Sequence, residues 1–225
     1  MDENWLLILA DAASSLGVPL KKRQLRLFNH YYREIIIWNE KINLLSRSSF
    51  EHTFLKNCID SLTVTPFLPG EESSVLDIGS GGGFPGIPLK IAVDALKIFL
   101  LESARKKTSF LKQVVRTLPL IGVTVLHDRA ENLKEREVYR DAFDVVISKA
   151  AFKLPQFLML GAFFLAPGGI LIAMKGAEIS GEMKEAMPAI IDSGLHVSSS
   201  HRVILPITGD ERTIVIFKKH PAAPL

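Results

Sequence analysis

The sequence contains a single cysteine, Cys58, in 225 residues. No internal disulfide is possible, and one thiol cannot build a cysteine-based zinc site. That usage fits a reducing compartment. Long apolar runs are also missing. The longest candidate, Phe157 to Met174, is broken by Pro167, Gly168 and Gly169, so no membrane span is expected. The first residues, MDENWLLILADAASS, lack a basic leader and carry Asp2, Glu3 and Asp11, unlike a signal peptide. A cytoplasmic protein with no membrane partner is therefore expected. The six histidines are scattered with no H-x-x-x-H pair, so no metal is expected. There is neither a G-x-S-x-G elbow nor a G-x-x-x-x-G-K-[ST] loop. The charge excess is only +3, which permits a nucleic-acid partner without arguing for one. Aromatic residues are few, at 8%, and mostly spaced as core residues.

What remains is ordinary globular material: 48% hydrophobic and 23% charged. Length and composition suit one globular domain, or one domain with a helical appendage. Two textures are visible. Residues 1–66 read as a helical region, with Leu25, Phe28, Tyr32 and Ile35 recurring at helical steps and Lys21, Lys22, Arg23 and Arg26 at the helix start. Pro66, Pro69 and Gly70 mark a break. Residues 67–225 read as an α/β domain packed with the helices as one unit. Apolar strands are predicted at Val75 to Ile78, Lys97 to Leu101, Val123 to Leu126, Phe143 to Ile147, Ile170 to Met174, Val203 to Leu205 and Thr213 to Phe217. Helices are predicted at Ile87 to Val93, Ala104 to Leu118, Leu154 to Leu165 and Gly181 to Ile191. This alternation predicts a mostly parallel sheet of seven strands with helices on both faces. Pro206 to Asp210 reads as a hairpin turn, which makes one terminal strand antiparallel.

The stretch Val75-Leu-Asp-Ile-Gly-Ser-Gly-Gly-Gly-Phe-Pro-Gly86 places a glycine turn at the end of the first strand, with Pro88 as a candidate helix start. In an open α/β sheet this crossover is where nucleotides bind. Gly81, Gly83 and Gly86 fit G-x-G-x-x-G, and Glu102 follows Gly81 by about twenty residues, the offset of a dinucleotide site's ribose acid. Against a dinucleotide stands Asp77, just before the loop. Its carboxylate repels a pyrophosphate and suits a ligand carrying an ammonium and a sulfonium. Pro85 and Pro88 also remove N–H donors that a phosphate needs. S-adenosylmethionine has no phosphate and meets both conditions. Glu102, at the end of the second strand, can accept ribose hydroxyls; pairing with Arg105 or Lys106 is its bland alternative. Ala130 and Glu131 offer backbone groups for an adenine edge, while Asp128 reads equally as a helix N-cap.

Arg105, Lys106 and Lys107 oppose the macrodipole of the helix they open, which points to a phosphate contact; Lys112 and Arg116 read as a solvated face. Lys149 and Lys175 end the fourth and fifth strands, on the sheet edge that carries the glycine loop. Phe84 is the best stacking or packing candidate. The tetrapeptide Asn/Asp-Pro-Pro-Tyr of exocyclic-amine methyltransferases is absent. Cys58 lies outside the α/β region, against a cysteine nucleophile.

These residues resemble the bacterial small-subunit (16S) ribosomal RNA guanine-N7 methyltransferase G family, also called glucose-inhibited division protein B. The likeness runs through Trp38-Asn39, Asn43-Leu44, Asp60-Ser61, the loop continued as Gly-Phe-Pro-Gly-Ile-Pro-Leu89, Leu101-Glu-Ser103, Lys107, Phe110-Leu111, Ser148, Ala150, Lys175-Gly176 and Arg212. It implies a class I S-adenosylmethionine-dependent methyltransferase (Rossmann-like) fold with a seven-stranded mixed sheet and an N-terminal helical extension. It implies a cofactor, S-adenosyl-L-methionine, and a substrate, guanine N7 in 16S ribosomal RNA or the 30S subunit. Cofactor contacts carry over to Gly79, Phe84, Ala130, Glu131 and Lys149, with Glu102 on the ribose; the residue reading adds Asp77 and Gly81. Arg129, Lys149 and Lys175 match functionally implicated basic positions and are the catalytic candidates, holding RNA phosphates or a flipped guanine. Three positions depart from the family: Lys149 for Arg, Asn57 for His, and Glu102 for Asp. A monomer without metal is expected. The alternatives are an NAD-dependent oxidoreductase using Gly81, Gly83 and Gly86, a non-enzymatic RNA-binding module anchored at Lys21 to Arg26, and a small-molecule methyltransferase.

Overall fold

The structure, a computed structural model, describes residues 4–45 and 50–219. Asp2, Glu3 and the extreme ends of both predicted regions lie outside the described residues. Three helices come first: α1 (Asn4–Ser15), α2 (Lys22–Asn39) and α3 (Phe50–Leu62). Leu27, Phe28, Tyr31, Tyr32 and Ile35 of α2 are buried, as their three- and four-residue spacing dictates. The side chain of Gln24 accepts the Lys21 N–H at 2.7 Å and donates to the carbonyls of Ile91 and Ala92, which ties α2 to the α/β layer.

Strands and helices then alternate: β1 (Ser74–Ile78), α4 (Gly86–Ala92), β2 (Lys97–Glu102), α5 (Arg105–Thr117), β3 (Val123–His127), α6 (Ala130–Leu133) and β4 (Phe143–Lys149). They continue with α7 (Leu154–Phe164), β5 (Leu165–Gly176), α8 (Ser180–Asp192), β6 (Leu195–Ile204) and β7 (Glu211–Lys219). The 7-stranded sheet has the order β3-β2-β1-β4-β5-β7-β6. Strands β1 to β5 pair in parallel, and β7 runs antiparallel to both β5 and β6. The predicted seven strands and hairpin are therefore present.

Several boundaries differ from the sequence reading, and three are instructive. Helix α4 starts at Gly86 rather than Pro88, because Pro85 takes the cap position and Pro88 sits within the first turn, where its missing N–H costs nothing. Strand β5 starts at Leu165, since the sheet carries Pro167 and Gly168 at an irregular register with β4. Strand β6 begins at Leu195, not Val203. Its polar residues, among them the consecutive Ser198, Ser199 and Ser200, lie on an edge strand that needs no second apolar face.

The sheet divides two apolar cores. One holds Ile98, Leu100 and Ile147 together with Trp5, Phe28, Tyr31 and Phe54 of the first three helices. The other holds Leu76, Val146, Phe157 and Ile190 against α7 and α8. Within the first core Trp5, Tyr31, Tyr32, Phe54 and Phe84 form one aromatic cluster, with Tyr31–Phe84 centroids 5.5 Å apart. The Tyr31 hydroxyl donates to the Gly82 carbonyl. The helical extension thus buttresses the glycine loop from behind. No helix among the described residues is long and apolar enough to cross a membrane.

Candidate functional site

The turn after β1 is pinned to the end of β2. The N–H groups of Gly79 and Ser80 donate to the Leu101 carbonyl at 2.9 and 3.1 Å. Gly81 N–H donates to Glu102 Oε2 at 2.9 Å, and Ala104 N–H to Oε1 at 2.7 Å. Glu102 therefore holds the loop through backbone amides rather than pairing with Arg105 or Lys106. A carboxylate has about four acceptor positions, so two taken by amides leave capacity for ribose hydroxyls. Gly79 has φ +79°, and a Cβ built there would come within 2.6 Å of the Ala151 side chain. The segment after β4 thus rests directly on the glycine turn.

Asp77 departs from the sequence reading. Its side chain is fully buried beneath the loop rather than facing a ligand. Oδ2 accepts the Gly86 N–H at 3.0 Å, and Oδ1 is buried without a hydrogen-bond partner. Gly86 permits this, since a Cβ there would lie 3.0 Å from Asp77 Oδ2 and 2.4 Å from Leu100. Burial raises the Asp77 pKa to about 7 from 3.8, opposed by the Gly86 and Ser80 hydrogen bonds and by Lys149. The folded state thus holds this proton more tightly than the unfolded chain. Stability contributed by the group is greatest below about pH 4 and declines as pH rises toward about 7. The decline is at most about 4 kcal/mol. Asp77→Asn is expected to flatten this slope, so that its melting temperature gains on wild type between pH 5 and 8. Parallel melting curves across that range would contradict the assignment.

Beside the glycine turn lies a cavity of about 190 Å³ lined by Ile78, Gly79, Leu101, Ser103, Asp128, Arg129, Ala130, Glu131 and Phe152. Its floor is apolar and its rim polar. Ala130 and Glu131 open the short helix α6, where first-turn N–H groups have no partner within the helix. Asp128 does not take the cap position, which falls on Arg129. Instead its carboxylate accepts Arg129 N–H and Asn132 Nδ2 and pairs with Arg136 at 2.8 Å. Glu131 accepts a hydrogen bond from Gln156 Nε2 at 3.3 Å.

Across Phe152 opens a second pocket, about 590 Å³, which also carries Lys149 and Lys175. Four of its cations each face an acid. Lys56 pairs with Asp210 at 2.8 Å, and Lys175 with Glu182 at 2.8 Å. Arg212 Nε lies 3.3 Å and Lys149 Nζ 3.9 Å from Asp60 Oδ2. Lys149 also donates to Asn57 Oδ1 at 2.5 Å, and Lys175 to the Phe152 carbonyl at 2.9 Å. Burial lowers the Lys149 pKa, opposed by Asp60 and Asp77. Phe84 is 7% exposed and packs in the aromatic cluster, with Lys149 Nζ 5.7 Å from its ring centroid. It is a packing residue here, not an open stacking platform.

The three basic candidates are thus divided. Lys149 and Lys175 share the larger pocket, whereas Arg129 lines the smaller one. In the sequence Asp60 and Arg212 stand out only as matched positions, Asn57 only as a departure and Asp210 only as the end of a turn, while nothing marks Lys56 or Glu182. Their convergence joins α3, β4, β7 and α8, a juxtaposition with no local sequence signal. Among the described residues there is no group of ≥ 3 His, Cys, Asp or Glu that could hold a metal ion.

Comparison with known proteins bears on this pair of pockets. The family model described as rRNA small subunit methyltransferase G matches residues 24–210. The Ribosomal RNA small subunit methyltransferase G of Syntrophus aciditrophicus (strain SB) is 42% identical over 96% of this chain and 90% of its own length. The protein of the same name from Carboxydothermus hydrogenoformans is 37% identical over 94% and 90%. Among solved structures, M. jannaschii TYW2 in complex with AdoMet superposes with a TM-score of 0.61 at 16% identity, covering 80% of each chain. A SAM dependent methyltransferase from Aquifex aeolicus gives 0.55 at 19% identity, covering 72% of this chain and 90% of its own. These two show the shared fold.

Proposed function

This chain belongs to the rRNA small subunit methyltransferase G family, and from that premise we propose that it methylates guanine N7 in small-subunit (16S) ribosomal RNA, using S-adenosylmethionine. The observation that carries the reading is the pairing of a small cavity at the glycine turn with a larger pocket, the two sharing Phe152 as a wall.

The residues fit the cofactor. Gly79 keeps the turn clear of side chain, Glu102 has acceptor capacity for ribose hydroxyls, and Ala130 and Glu131 offer backbone groups to an adenine edge. Asp77 acts from below, by accepting the Gly86 N–H and so fixing the far end of the loop. When bound, the cofactor supplies a methyl group on a sulfonium. Guanine N7 has an exposed lone pair and no proton, so no side chain needs to act as general base. The protein's task is alignment, and effective concentration carries most of the rate. Positive charge builds on the guanine ring as the bond forms. The acids Asp60 and Glu182, which line the larger pocket, suit that charge. Lys149 and Lys175 hold the base pocket in shape from the strand ends. Arg129, at the rim of the smaller cavity, is exposed and suits a phosphate of the RNA.

We take the helices through residue 66 and the α/β region from 67 as one folding unit, and the protein as a cytoplasmic monomer. The test is methyl transfer from labelled S-adenosylmethionine to 30S subunits and to free 16S RNA, with the modified base mapped. Label at a guanine N7 is expected. Label elsewhere, or calorimetric binding of NADH in preference to S-adenosylhomocysteine, would sink the reading.

A further inference from the structure

The larger pocket is nearly charge-balanced, and that bears on what enters it. A pocket built to hold phosphates leaves its cations free for the ligand. Here Lys56, Lys149, Lys175 and Arg212 each already face Asp210, Asp60 or Glu182. Asp60 is the centre of this arrangement. It is 6% exposed, reaches into the pocket from α3, and has both Lys149 and Arg212 on the same oxygen, Oδ2. The other oxygen, Oδ1, is buried with no hydrogen-bond partner. A buried carboxyl oxygen left without a partner is costly, and it is relieved by any ligand that brings an N–H.

We infer that Asp60 reads the Watson–Crick edge of the target base, with Oδ1 accepting from N1–H or the 2-amino group of guanine. This deepens the proposed function and rests on it. Guanine presents N7 on one side of the bicycle and N1–H with the 2-amino group on the far side. A base with N7 turned toward the glycine turn therefore turns its two donors away from the cofactor, into the pocket that Asp60 lines. Adenine offers a lone pair at N1, which a carboxylate repels. Inosine keeps N1–H and lacks the 2-amino group. Asp60 thus discriminates by satisfying guanine and opposing adenine. The same hydrogen bond strengthens as the ring acquires positive charge, so it favours the transition state over the bound substrate. Asn57 and Arg212 are positioning residues, since they hold Lys149 and the carboxylate.

The experiment measures binding of GMP, IMP and AMP by ligand-observed NMR, with S-adenosylhomocysteine saturating the cofactor cavity. Wild type is expected to rank them GMP, IMP, AMP, with GMP favoured over AMP by about tenfold or more. Asp60→Asn is expected to compress that ratio to below about threefold while S-adenosylhomocysteine affinity stays within about threefold, and Asp60→Glu to restore part of the preference. A merely structural Asp60 would weaken all three nucleotides together and leave the ratio intact. Wild type that binds AMP as well as GMP, wild type with no GMP binding at millimolar concentration, or an unchanged ratio in Asp60→Asn each overturns the inference. Should Asp60→Asn lose cofactor binding, Asp60→Ser is measured in its place. Methylation of 30S guanine by wild type separates the cases. If it occurs while the ratio survives in the variant, only the role of Asp60 fails; if it does not occur, the functional reading itself fails.

Discussion

Lys175→Ala is expected to transfer methyl groups to 30S subunits about a hundredfold more slowly while binding S-adenosylhomocysteine within about threefold of wild type. The asymmetry follows from position. Lys175 Nζ donates to the Phe152 carbonyl and lies 2.8 Å from Glu182, so it ties the partition between the two pockets to the far wall of the larger one. It does not line the smaller cavity. Alanine frees the Phe152 segment and leaves Glu182 without its cation, which deforms the base pocket and spares the cofactor's glycine turn. A misplacement of about 1 Å in a reaction governed by alignment costs on the order of a hundredfold. Single-turnover methylation alongside calorimetry reads the two quantities separately. Equal losses of both would place Lys175 in the cofactor site and contradict its assignment to the base side.

The second large effect concerns stability. Gly83 has φ +93°, and a Cβ built on it would stand 2.7 Å from Ile87 Cγ1 and 2.8 Å from the Tyr31 hydroxyl. Gly83→Ala imposes a left-handed conformation on an L-residue and drives a methyl into a packed core. Each costs about 1–2 kcal/mol, so a loss of about 3 kcal/mol is expected. For a chain of this size that lowers the melting temperature by roughly 6–12 °C. Because Tyr31 also donates to Gly82, the clash loosens the loop from the helical extension, and cofactor affinity should fall with stability. Gly168 is the control. Its φ is +78° but nothing lies within 4 Å of a Cβ there, so Gly168→Ala should cost only the backbone part. Equal melting temperatures for the two variants would remove the packing argument. Scanning calorimetry of both decides it.

Much of the fold was legible because its signals are local. Val75 to Ile78 is buried on both faces and reads as a short apolar run interrupted only by Asp77. The α2 stripe follows from helical period alone. Strand β6 was read too short because only Val203 to Leu205 looked apolar. An edge strand takes its register from the neighbour it pairs with, here β7, and polar residues at Ser199 and Ser200 do not prevent pairing. The glycine turn and Glu102 were found because both sit at strand ends, where chain direction places them together. Asp77 lies at the strand end where the sequence places it, with its carboxylate buried beneath the loop. A strand position does not reveal that Gly86, nine residues on, leaves the space which draws its carboxylate under the loop.

The residues themselves determined the alternation of strand and helix, the glycine turn after β1 and the likeness to one family, since each depends on neighbours along the chain. The tertiary structure alone decided the company the lysines keep. Asp60 meets Arg212 across 152 positions of sequence, and Asn57 meets Lys149 across 92. No periodicity spans such distances. Topology brings α3, β4 and β7 to one rim, and only there do opposite charges come close enough to pair and to turn a row of strand-end cations into a balanced pocket.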